Sequence, residues 1–95
     1  MFIVLLKFSD NKSMAARHMP GHNAWLKQGF DEGVFLLAGS LQPGMGGAVI
    51  AHNISLYELQ RRVEKDPFVA ENIVKAEIIE ITPGKTDERL AFLLA

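Results

Sequence analysis

Residues Phe2-Ile3-Val4-Leu5-Leu6-Lys7-Phe8 form a β-rich run that is apolar at even and odd positions alike. Side chains of a strand alternate between the two faces of its sheet. A strand with one wet face therefore alternates apolar and polar, and one apolar at both parities is covered on both faces. A chain of 95 residues is one domain by default and has little material for two covering layers. A domain of this size buries only roughly two thirds of its unfolded surface, yet 48% of these residues are hydrophobic. The excess predicts that some apolar surface is buried against a second copy of the chain.

The remaining segments supply one layer of cover. After the turn Ser9–Lys12, Ser13 is placed to cap a short helix reaching Arg17 or His18. Pro20 is expected to interrupt it, because proline lacks the N–H and disfavours helical geometry at Met19. Proline also suits a first helical position, so the main helix is predicted from Pro20 to about Glu32, with Gly33 as its C-terminal glycine. At helical spacing His22, Leu26, Gly29 and Phe30 share one face, and Asn23, Lys27, Gln28 and Asp31 face out. Val34–Leu41 and Ala48–His52 read as strands joined by the loose hairpin loop Gln42–Gly47. Ser55-Leu56-Tyr57-Glu58 is a capping box for a helix that buries Leu56, Leu59 and Val63. Asp66-Pro67 then reads as an N-cap and first-turn proline for Phe68–Glu71. Lys75–Ile81 is the last strand, stopped by Pro83-Gly84, and the tail, residues 84–95, fits a helix or a strand equally.

The order βαββαβ predicts an α+β domain of ferredoxin-like architecture: a four-stranded antiparallel sheet with both helices on one face. The other face then needs cover. Sheet-to-sheet homodimerisation supplies it, with the tail free to reach the partner. The whole chain, 1–95, is read as this single domain.

Composition excludes several functions. There is no cysteine, hence no disulfide and no thiolate chemistry. The formal net charge is -1 with Lys and Arg scattered, which argues against nucleic acid. No apolar stretch approaches the roughly 20 residues of a membrane span. The short run Phe2–Leu6 has no basic residue before it, so it does not read as a signal peptide. The cytoplasm is the expected location.

His22 and Asp66 are the candidates for chemistry. His22 lies on the inward stripe near the expected helix start, where the helix dipole and burial both favour the neutral ring, a proton acceptor near neutral pH. The alternative is a core histidine bonded to backbone. Asp66 extends the Leu59–Val63 stripe by one turn, so its carboxylate can point towards the sheet; the alternative is the N-cap alone. The two roles are compatible, since a capping carboxylate can still orient a histidine, as in hydrolytic triads. His18, His22 and His52 fall short of a metal site, because Pro20 separates the first two, so no metal is expected. Gly44-Met45-Gly46-Gly47 precedes a strand, whereas phosphate cradles open helices; it reads as a hairpin loop that could rim a pocket. Trp25 and Phe68 read first as packing and second as substrate contacts. Ser40, after Gly39, lacks the surroundings of a nucleophile.

Three features together resemble the YCII-related family of the dimeric α+β-barrel superfamily. They are Pro20-x-His22 followed by Leu26, Gly33 leading through Phe35–Ser40 into the hairpin, and Asp66-Pro67-Phe68 before the last strand, spanning residues 1 to 83. The resemblance implies a homodimer of ferredoxin-like subunits with a pocket between sheet and helices. It implies that His22 and Asp66 are the family's acid/base pair facing that pocket; proton transfer by such a pair is expected to need no metal or organic cofactor. Arg17, Ser40, Trp25 and Phe68 are then the candidate substrate-binding residues. Where members often carry arginine three residues before the histidine, this chain has Met19, with Arg17 nearby; where they often have Gly-Pro after the second strand, it has Gly39-Ser40. Displaced positive charge weakens binding of an anionic substrate.

Two functions follow. In one, His22 and Asp66 catalyse a lyase- or isomerase-type proton transfer on a small carboxylated molecule. In the other, the chain is a non-catalytic ligand-binding or accessory homodimer and both residues are structural. The first requires His22 and Asp66 within hydrogen-bond reach beside an open pocket.

Overall fold

The computed structural model describes residues 1–94. Strand β1, Phe2–Phe8, is central in a four-stranded sheet with β2, Phe35–Leu41, β3, Gly46–Ala51, and β4, Val74–Glu80, in the order β2-β3-β1-β4. All three pairings are antiparallel, with Val4 opposite Val49 on one side and Ile78 on the other. Helices α1, Ala15–Asp31, α2, Leu56–Glu64, and α3, Pro67–Ala70, complete the predicted α+β, ferredoxin-like order.

Alternation along the strands divides the apolar residues as expected. Phe2, Val4 and Leu6 of β1, Phe35 of β2, Val49 and Ala51 of β3 and Val74 of β4 are buried, in one cluster with Trp25, Leu59, Val63, Phe68 and Ile73. Register places Ile3, Leu5, Leu37, Ile50 and Ile79 on the opposite face. There Leu37 is 54% exposed and Ile79 40%, so this apolar face is much the less covered.

Several local expectations are corrected. Pro20 does not interrupt its helix; α1 runs unbroken through it for 17 residues. Pro20 is the sixth residue of α1, so the bond it forgoes is to the Ala16 carbonyl, and both residues are exposed, leaving solvent to serve that oxygen. The remaining cost is offset by the stripe α1 packs inward, with Trp25 and Gly29 buried and His22 and Leu26 half-buried. Ser13 is not a cap: it lies within a 3-10 turn, Lys12–Met14, that leads into α1 without a side-chain cap bond. Phe30 is exposed, one position past the stripe, and meets Phe35 only edge-on at 6.0 Å, while Trp25 fills the core. The hairpin loop is shorter than expected, Gln42–Met45, because Gly46 and Gly47 pair with β1 and β2 instead of turning. The capping box forms, Ser55 accepting the Glu58 N–H at 3.1 Å, but Leu56 stays exposed beside buried Leu59 and Val63. The tail is neither α-helix nor strand but a 3-10 segment, Glu88–Leu94, in which Phe92 meets the His52 ring at 5.5 Å; the final Ala95 lies outside the described residues.

Candidate functional site

Asp66 sits where α2 gives way to α3. Its backbone N–H donates to the Val63 carbonyl, and its side-chain Oδ1 accepts the Phe68 N–H at 3.0 Å, capping α3. The residue is fully buried. The same Oδ1 lies 2.9 Å from Nδ1 of His22 on α1. The sequence places these residues 44 positions apart, and three packing features bring them together. The His22 ring lies parallel to Phe68, centroids 4.1 Å apart and planes within 4°. Trp25, one turn along α1, donates its indole N–H to the Arg62 carbonyl of α2 at 2.9 Å. Gly21 lets the helices approach, since a Cβ there would stand 3.0 Å from Pro67 Cγ.

An ionised carboxylate only accepts hydrogen bonds, so Nδ1 is the donor of the His22–Asp66 bond and Nε2 is the ring nitrogen left for another partner. His22 is the eighth residue of α1, well inside the helix. The expected influence of a helix N-terminus on its ring therefore falls away, because that influence is confined to the first turn. Its governing neighbours are instead Asp66 and Phe68. Asp66 Oδ2 is buried with no hydrogen-bond partner among the described residues.

His22 lines a cavity of about 310 Å³ between the helices and the sheet. Its origin is legible in the register: the helix-facing positions near the hairpin end are Ala38, Ser40 and Gly47, whose small side chains leave space under α1. Ser40 and Phe68 line this cavity, whereas Arg17 and Trp25 do not. Arg17 is exposed on α1, and Trp25 belongs to the core beneath the pair. Asn23, expected to face out, is exposed yet forms part of the wall. Ala38 is a wall residue that the sequence reading does not single out; the signal for it is a small residue at a helix-facing strand position, on the strand adjoining that of Gly47. The glycine-rich segment contributes Gly46 and Gly47 to the wall. Nearby, the Arg62 guanidinium bonds Glu32 at 2.6 Å and holds that carboxyl below its ordinary value. Among the described residues no three His, Asp or Glu converge as metal ligands do, and no helix is long and apolar enough to cross a membrane.

Comparison with known proteins gives the family and a likeness of fold. The YCII-related domain matches residues 1–82. No curated protein matches. Among solved structures, the chain is similar to the 5-chloro-2-hydroxyhydroquinone dehydrochlorinase of Burkholderia phenoliruptrix AC1100, in complex with 2,5-dihydroxybenzoquinone. The TM-score is 0.70 at 16% identity, covering 88% of this chain and 96% of that one; this likeness is one of fold. With the family's domain extending over all four strands and both residues of the buried pair, the chain belongs to the YCII-related family.

Proposed function

We propose that the protein is a cytoplasmic acid–base enzyme that moves a proton on a small organic molecule, in a lyase- or isomerase-type reaction without a cofactor. The observation that carries this reading is the 2.9 Å contact between His22 Nδ1 and buried Asp66, with the imidazole at the wall of a cavity. Nε2 accepts a proton from a substrate C–H or O–H, the electron pair stays on the substrate, and Asp66 stabilises the resulting imidazolium. The similar dehydrochlorinase, whose complex holds a small quinone, supports small-molecule chemistry in this fold. The apolar sheet face carrying Leu37 and Ile79 supports a homodimer packed through it. One observation favours the accessory reading: Asp66 caps α3, which by itself explains a buried aspartate.

The test follows deuterium uptake from D2O into weakly acidic small molecules by NMR. Wild-type protein should accelerate exchange at a carbon of a bound compound, and His22→Gln should abolish this while retaining binding. Equal exchange in both proteins would leave only the accessory reading.

A further inference from the structure

We infer that the cavity selects an uncharged molecule of about one ring and discriminates against carboxylates, reversing the expectation of an anionic substrate. The inference rests on the acid–base reading of His22 and supplies its substrate class. Among the described residues, no Lys, Arg, Asp or Glu lines the cavity. The charge behind its wall is the carboxylate of Asp66, bonded to His22. An anion entering here would lose water and meet no cation, an unfavourable exchange. Arg17 lies outside the lining, and Lys12 holds its Nζ 4.8 Å over the ring of Phe8, one of the wall residues, without entering the wall itself.

The cavity volume is at the small end of ligand pockets, enough for a single ring. Its floor, at Ala38 and Gly47, is nearly bare sheet, and its other side carries the stacked rings of His22 and Phe68. Ser40 offers a hydroxyl and His22 a ring nitrogen as hydrogen-bonding groups. This polarity suits the chemistry. A neutral acid becomes an anion only as its proton reaches Nε2, and the imidazolium formed in that step is its counter-ion. Charge complementarity thus arises in the transition state, where it accelerates reaction, and is missing in the ground state.

The experiment titrates the full chain with phenol and with benzoate at neutral pH and low ionic strength, reading backbone shifts at Ser40, Gly47 and His22. Phenol should perturb these positions and bind about tenfold or more tightly than benzoate, the size of one missing charge partner. Ala38→Leu, at an exposed position, should fill the floor and abolish phenol binding; Ser40→Val should weaken it. Benzoate binding as tightly as phenol would overturn the inference, and its loss in Lys12→Gln would name the cation responsible. Failure of both rings to bind would also overturn it. The acid–base reading fails separately, if a ring binds and His22→Gln leaves deuterium exchange unchanged.

Discussion

Replacing His22 by phenylalanine keeps a flat ring against Phe68 and removes only the partner of Asp66. The carboxylate is fully buried and the His22 side chain is 13% exposed, so solvent does little to replace the lost bond. Breaking one side of a buried pair costs about 3–5 kcal/mol. Asp66 keeps its bond from the Phe68 N–H, a charge-assisted contact worth about 1.5–3 kcal/mol, which places the expected loss near the lower end, about 3 kcal/mol. A domain of this size has about 5–15 kcal/mol in hand, so the variant folds and its urea midpoint is measurable. Asp66→Asn retains an N-cap acceptor and should cost about 1–3 kcal/mol through its weaker bond and unpaired amide hydrogens. In the double variant no buried charge is stranded, so its loss should fall short of the sum of the singles by about 1.5–3 kcal/mol. Additivity within about 0.5 kcal/mol would refute the contact as an energetic pair.

Two further perturbations test how the helices are held. Gly29→Ala places a Cβ 2.1 Å from Phe35 Cδ2, so the core ring must move; overpacking of about 1–3 kcal/mol should outweigh the roughly 1 kcal/mol gained in helix propensity, and a raised urea midpoint would contradict this packing. Arg62→Ala removes the bond that lowers the Glu32 carboxyl; a depressed carboxyl stabilises the fold above its unfolded value and loses that contribution as pH falls through its folded value. The melting-temperature gap between wild type and this variant should therefore be present at neutral pH and narrow in acid, whereas a gap that widens in acid would reject the pairing.

The sequence by itself determined the order of elements and the sheet, because β-rich apolar runs, a capping box at Ser55 and Asp66-Pro67 are local signals that tertiary packing left in force. It also marked His22 and Asp66 as the pair to watch, through residue type, position and family resemblance. Tertiary structure decided what local rules could not. Packing of Trp25 and Gly29 carried α1 through Pro20, overriding a local breaker whose orphaned carbonyl faces water. Strand pairing on both sides drew Gly46 and Gly47 out of the turn. The cavity belongs to no segment: it is the space left where Ala38, Ser40 and Gly47 of two strands lie beneath one helix. Its lack of cationic lining among the described residues is likewise a property of the several strands and helices that meet there. Arg17, five residues before His22 on the same helix, is exposed and outside the wall because helical rotation, and not sequence distance, sets which side chains share a wall.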